Sequence, residues 1–300
     1  MVKFKRNYPQ ASEGSLKHIT IFVNLFFSMI AYSQTAEIRV QAPEDPKDQR
    51  PIYFRKMLQL ALDKTAETDG PARWVLAKNT AIQERNIKSL QANRNIDVLW
   101  TMTNNDRESR LLPVRIPLYK GLFGYRICII NQQDKDKFSS IKSVADFRKS
   151  LFKIGSGIGW PDTEILQKNN LDVVVGDEYT GLFIMLSKNR FDCYARAIPE
   201  PWVEIETNKK LNLIVDRHLV FKYPTAMYFF VNKANVALAS RIERGLLAAI
   251  KDGSFDEIFY THNKAFIDKS EIGKRVILEL KNPILPTKTP LNKKDLWIKF

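Results

Sequence analysis

Cysteine and histidine are almost absent from this chain. Its 300 residues hold two cysteines, Cys128 and Cys193, and three isolated histidines, His18, His218 and His262. None of the five falls at metal-ligand spacing, which sets zinc aside. No nucleophile is paired with a histidine in a recognisable pattern, so covalent catalysis has no support. No cofactor is expected. Both cysteines lie in apolar, strand-like stretches at inward positions. That favours two buried free thiols, although an oxidising compartment would permit a disulfide. Residues 19–31 form an apolar run of 13 with Asn24 inside it, short for a membrane span. Runs of five or six basic residues, internal repeats and low-complexity segments are absent too.

What is present is an ordinary globular composition with a basic excess. Hydrophobic residues make up 44% and charged residues 27%, enough for a full core in one large or two medium domains. Lys3, Lys5, Arg6 and Lys17 precede the 19–31 run, and Ala31-Tyr32-Ser33 offers small residues at signal-peptidase spacing. Residues 1–33 therefore read as a secretory signal peptide cleaved near Ser33, with an uncleaved anchor as the alternative. No cysteine follows the run, which argues against a lipoprotein. The formal charge is +14; losing residues 1–33 removes four basic residues and one acidic one and leaves +11. The basic residues are scattered, with pairs such as Lys209-Lys210 and Lys293-Lys294 as the densest patches. A solvated basic surface is the reading, and nucleic acid is not an expected partner. The charge would still help attract an anionic solute.

Residues 37–41 alternate as a strand, and 53–66 carry Phe54, Met57, Leu58, Ala61 and Leu62 on one helical face. A strand at 73–77, a helix at 82–92 and the strand at Val98 complete a β-α-β-α-β unit, which implies a parallel sheet. A second such unit opens at the capping box Ser143-Val-Ala-Asp146. It continues through a strand at 152–155, a helix led by Pro161, a strand at 172–175, a helix at 179–188 and a strand at 191–195. The chain returns along an apolar strand, 223–231, to a regular helix at 236–251 stopped by Gly253, then a short helix at 255–260. The proline-punctuated tail, 282–300, reads as a strap ending in Trp297. Two α/β units joined by two crossing strands make a hinged clamshell. Residues 34–128 form the first lobe, 129–228 the second, and 229–300 return to the first. Ligands of such sheets bind beyond the carboxyl ends of the strands, which two lobes turn towards a shared cleft.

Candidate site residues gather at those ends. Trp100, Thr101, Thr103 and Arg107 follow the strand at Val98. Hydroxyls and a guanidinium there suit an anion, and Arg107 can clamp a carboxylate through two parallel hydrogen bonds. Arg107 can equally pair with Asp106 or Glu108, and the threonines can cap a turn. In the second unit Ser156, Gly157 and Asp162 flank a loop before a helix, where backbone N–H groups and the helix dipole favour anions. Asp162 in such a place would cap, or meet a cation. Trp160 can stack on a ligand or pack at the rim. Arg196 and Glu200 follow a strand; they would line the cleft or pair with each other at i, i+4.

The order strand, T-x-x-x-R-E (Thr103 to Glu108), Ile116-Pro-Leu-Tyr119, strand resembles the first lobe of periplasmic solute-binding proteins of the type II fold. The helix at 236–251, followed by Asp252-Gly-Ser-Phe-Asp-Glu-Ile258, looks like the late helix of the amino-acid-binding (family 3) branch. The segments G-x-G-W-P-D-T, N-R-F-D-C-Y-A-R-A-I-P-E and L-K-N-P-I-L-P resemble a poorly characterised branch of transporter substrate-binding-like proteins. The resemblance implies a two-lobed α/β clamshell in the periplasm. It puts the threonine and Arg107 on the ligand carboxylate and Tyr53, which opens the first helix, in an aromatic wall. It also implies a monomer whose partner is an ABC-type membrane permease or a membrane sensor. One position departs from it. Amino-acid binders carry an aspartate about five residues past the place of Asp192, facing the ligand ammonium; here that place is Ala197, beside Arg196. Arg107 and Arg196 in one cleft would favour an anion, with two acidic groups if both engage it. The expected function is capture of a small polar ligand, anionic or amino-acid-like. The alternative is an enzyme on the same fold, such as a small-acid dehydratase, with Glu200 or Asp162 as general acid or base.

Overall fold

The computed structural model describes residues 1–2, 35–43, 50–78 and 81–300. The expected signal peptide and its cleavage site near Ser33 lie outside them.

The first lobe begins with β1 (Ala36–Val40), α1 (Arg50–Asp63), the single turn α2 (Ala66–Asp69), β2 (Ala72–Leu76), α3 (Gln83–Gln91), β3 (Leu99–Met102), α4 (Asn105–Arg110) and β4 (Leu112–Val114). β1 pairs in parallel with β2, and Val40 bridges in parallel to Val98. The β-α-β-α-β order is therefore present, and the carboxyl end of β1 lies beside the start of β3. In α1 the buried residues Tyr53, Phe54, Met57, Leu58, Ala61 and Leu62 fall at helical spacing and form one face of the first-lobe core.

The second lobe holds β5 (Tyr125–Asn131), α5 (Val144–Lys149), β6 (Lys153–Gly157), α6 (Pro161–Lys168), β7 (Asp172–Gly176), α7 (Tyr179–Ser187), β8 (Cys193–Ala197), α8 (Pro201–Thr207), β9 (Leu213–Val215) and β10 (Leu219–Lys222). β6 pairs in parallel with β7 and β8, while β5 runs antiparallel to β8, β9 and β10. Phe138, Phe147, Ile154, Ile165 and Phe221 fill the core beneath.

The chain then divides its return. β11 (Met227–Val231) lies antiparallel between β3 and β4, and α9 (Val236–Asp252) and α10 (Ser254–Ser270) pack on α1. β12 (Val276–Glu279) instead pairs in parallel with β10, on the second lobe's sheet. The short helix expected at 255–260 runs on to Ser270, because its buried stripe continues through polar Asn263, whose amide donates to the Phe259 carbonyl at 2.8 Å. The three- and four-residue strands β4, β9, β10 and β12 are too short to show a period of two in sequence.

Residues 115–124 carry the chain into the second lobe, and 223–226 carry it back. The two crossings touch: the Tyr223 N–H donates to the Gly124 carbonyl at 3.0 Å. A Cβ on Gly124 would stand 2.1 Å from the Tyr223 carbonyl oxygen, so only glycine allows this approach.

The cysteines correct the expectation of free thiols. Cys128 on β5 and Cys193 on β8 form a disulfide, with their Cα atoms 5.0 Å apart. The strands are antiparallel neighbours with Cys128 opposite Ala195, so two inward positions 65 residues apart in sequence meet inside the second lobe. Only the register reveals this pairing. A bond closing a loop of that length should contribute about 2–4 kcal/mol. Reduction, or Cys128→Ala together with Cys193→Ala, should lower the urea midpoint accordingly; an unchanged midpoint after complete reduction would show that the bond is absent or inert.

Candidate ligand cleft between the lobes

The first-lobe wall starts at the carboxyl end of β3. There Asn104 caps α4, its Oδ1 accepting from the Arg107 N–H at 2.8 Å. That cap turns Arg107 back over the strand end. Its Nη1 donates to Thr101 Oγ1 and to the Met102 carbonyl, both at 2.7 Å, and Nη2 donates to Gln83 Oε1 at 2.5 Å and to the Gly159 carbonyl at 3.5 Å. Gly159 belongs to the β6–α6 loop, so Arg107 touches the second lobe. The guanidinium is 4% exposed, and among the described residues no carboxylate forms an ion pair with it. Asp106 pairs with Arg110 and Glu108 with Arg115 instead. Burial drives the Arg107 pKa down to about 10, against the opposing charges of Asp162, Glu84 and Asp106. Thr103 lies alongside, donating to Glu108 at 2.8 Å.

The second-lobe wall is built from the carboxyl ends of β6 and β8. Thr163 Oγ1 lies 2.8 Å from the buried Ser156 Oγ and donates to the Gly157 carbonyl at 2.7 Å. Asp162 is bound within the protein: Arg126 Nη2 meets it at 2.6 Å, and the Tyr223 hydroxyl donates to it. Arg196 is paired as well. Its Nε donates to both oxygens of Glu204 at 3.0 and 2.9 Å, and its Nη2 donates to Glu204 at 2.6 Å and to Glu200 at 2.7 Å. Glu200 also accepts from the Ala197 N–H at 2.8 Å and from Arg126 at 3.5 Å. Across the seam Arg50, at the start of α1, reaches Glu200 at 3.3 Å and Glu204 at 3.2 Å. Three arginines (Arg50, Arg126, Arg196) thus balance three carboxylates (Asp162, Glu200, Glu204), and Arg107 stands outside the set.

The structure brings Thr101, Arg107, Ser156, Gly157, Trp160, Asp162, Arg196 and Glu200 to this seam. It sets Tyr53 and Trp100 in the first-lobe core. Tyr53 stacks on Tyr119 at 4.6 Å and its hydroxyl donates to the Leu118 carbonyl, while Trp100 stacks on Phe54 at 5.2 Å. Sequence reasoning missed Arg50, Gln83, Arg126, Tyr179, Glu204 and Tyr223. Arg126 carried a signal, a lone cation opening an apolar strand; Glu204, eight residues from Arg196, carried none.

No protein-family model matches the chain, and no curated protein matches it. Solved structures do. The amino acid ABC transporter substrate-binding protein AbpA from Streptococcus pneumoniae, bound to L-arginine, is similar with a TM-score of 0.57 at 15% identity, over 78% of this chain and 96% of that one. A histidine kinase sensor domain with similarity to periplasmic binding proteins gives 0.55 at 15% identity, over 76% and 96%. The ancestral amino-acid-binding protein AncCDT-1, a precursor of cyclohexadienyl dehydratase, gives 0.52 at 13% identity, over 76% and 94%. The chain has the type II periplasmic-binding-protein fold. At these identities the likeness speaks to the fold, and the chemistry rests on the seam itself.

The charge cluster should make this type II clamshell sensitive to acid. Burial pushes the Glu204 pKa up, but the Arg196 charge and hydrogen bond, with Arg50 and the Tyr179 hydroxyl, outweigh it and hold the group below its ordinary 4.5. A depressed folded pKa contributes stability that is complete above the unfolded value and lost as pH falls through the folded one. Glu204→Gln should cost about 3–5 kcal/mol at pH 7 by breaking a buried pair. Denaturation at a series of pH values should show that deficit shrinking below about pH 4.5; a deficit constant down to pH 3 would mean that the fold does not lower the Glu204 pKa.

Proposed function

We propose that this protein is an exported solute-binding protein that closes its two lobes over a small anionic ligand held by Arg107. The observation that carries this reading is a buried guanidinium with only neutral acceptors, at the seam of a two-lobed fold. A buried cation without a directly paired carboxylate is costly, and an anion between the lobes relieves that cost. Thr101 orients the guanidinium from below. The carboxylates of the seam are each engaged by arginine, so a ligand ammonium finds no acid of its own. The cleft therefore suits one carboxylate or similar anion rather than a zwitterionic amino acid, and Arg196, bound to Glu200 and Glu204, supplies no second anion subsite.

The lobes are those expected from the sequence, residues 34–128 with 229–300 and residues 129–228, except that all of β5 goes with the second lobe, all of β11 with the first, and β12 is lent to the second-lobe sheet; they hinge at the crossings joined through Gly124 and Tyr223. The protein acts as a monomer in the periplasm and hands its ligand to an ABC-type permease or reports it to a membrane sensor. An ABC transporter substrate-binding protein and a kinase sensor domain among its structural neighbours support both outputs. The dehydratase precursor keeps an enzyme as the alternative. Against it stand carboxylates saturated by arginine and tyrosine donors, which leaves no free acid or base at the seam among the described residues.

Mass spectrometry of small molecules released from the purified protein identifies the ligand, and calorimetry then tests the site. Arg107→Ala should weaken binding about ten- to hundredfold, the loss of a charge-assisted hydrogen bond. It should leave the fold intact at a cost of about 1–3 kcal/mol for the orphaned acceptors. Binding as tight as wild type would return Arg107 to a purely structural role. Export has its own test: N-terminal sequencing of protein from the periplasm should begin near Gln34, and full-length protein retained in the cytoplasm would refute it.

A further inference from the structure

Arg196 sits in a receptor. Its guanidinium carbon lies 5.0 Å from the ring centroid of Trp160, 5.0 Å from that of Tyr194 and 5.6 Å from that of Tyr179. Glu204 and Glu200 accept its hydrogen bonds in the same pocket of space. Three aromatic faces and two carboxylates around one planar cation are a full set of guanidinium contacts. The fold holds the cage in shape. A Cβ on Gly157 would stand 2.5 Å from the Trp160 indole, so glycine lets that ring lie against β6. Phe183 packs edge-on against Tyr179 at 5.3 Å and Tyr194 at 5.1 Å, and the Tyr179 hydroxyl donates to Glu204 at 2.7 Å. The cage faces the first lobe, because Arg50 reaches both glutamates and lies 5.1 Å from the Tyr179 ring.

We infer that Arg196 is a built-in occupant of a guanidinium subsite on the second-lobe wall, and that it sets the specificity of the cleft by excluding ligands that carry a cation. With Arg196 in place the aromatic and acidic surface is already used, so the natural ligand is an anion without a basic group. With the side chain removed, the same surface is a receptor for an external guanidinium. The inference rests on reading the seam as the ligand cleft, but its test reads cation binding to a variant, whereas the Arg107 test reads anion binding to the wild type; the two can fail separately.

The test is calorimetry and thermal shift of Arg196→Gly with ethylguanidinium at millimolar concentration, against tetramethylammonium at equal ionic strength. Ethylguanidinium should bind the variant at least roughly tenfold more tightly than it binds wild type. It should raise the melting temperature of the variant alone, and Trp160→Ala in the same background should remove the gain. Removing Arg196 leaves the buried Glu200 and Glu204 only their longer pairings with Arg50 and Arg126, which weakens the single variant. Arg196→Gly with Glu204→Gln keeps three rings and one carboxylate and takes its place if the single variant does not fold. No gain in either variant overturns the inference, as does an equal gain in Arg196→Lys, whose side chain still fills the cage. If neither variant folds with ethylguanidinium present, the cage does not accept an external cation and the inference falls.

Discussion

The balanced charge cluster at the lobe seam is the constraint on which the rest of the structure depends. Arg126 comes from β5, Asp162 from α6, Arg196 from β8, Glu200 and Glu204 from the start and first turn of α8, and Arg50 from α1. Arg126, Arg196, Glu200 and Glu204 are each less than 9% exposed. A buried charge without a partner costs several kcal/mol, so each group tolerates burial only while the others are in place. Elements from distant parts of the chain are thereby held to one arrangement. Burial pushes the Arg126 pKa down, yet Asp162, Tyr223 and Glu200 raise it above the ordinary value, so the pairing outweighs desolvation there.

In the proposed function the same pairing decides the chemistry of the cleft. Acids that a ligand ammonium could use are taken by arginines, and the one guanidinium outside the balance, Arg107, faces the seam from the other lobe. The proposed closure would act where the contacts are weak. The Arg50 side chain is 29% exposed, so its bridge to Glu200 and Glu204 is partly screened by water and easily broken. Arg107 meets Gly159 only at 3.5 Å. The crossings, by contrast, are joined backbone to backbone through Gly124, which suits the proposed hinge.

Much of this was legible before the structure. The periods of 3.6 and 2 marked α1, α7, α9 and the strands β1, β2, β6 and β7, since burial on one face leaves a local imprint. Pro161 and Ser143 marked helix starts for equally local reasons. Arg107 was placed at a strand end by the same logic, although the helix that aims it, α4, is six residues long and showed no period. Tyr53 was drawn to the site by the family resemblance and Trp100 by its neighbours at a strand end. Trp100 instead packs on Phe54 and Tyr53 on Tyr119, because side chains near a strand end or helix start divide between cleft and core.

By itself the sequence determined the two α/β units, their order and a guanidinium at the end of β3, all of which follow from patterns within a few turns of chain. Tertiary structure alone decided who meets whom. Cys128 finds Cys193 because β5 and β8 pair in one antiparallel register. Asp162 finds Arg126, and Arg196 finds Glu204 and three rings, because strand ends and loops converge at one seam. The energy of such contacts depends on burial and on distance in space. Neither is a property of neighbouring residues, so no local pattern could record that Arg196 is caged while Arg107 keeps only neutral partners.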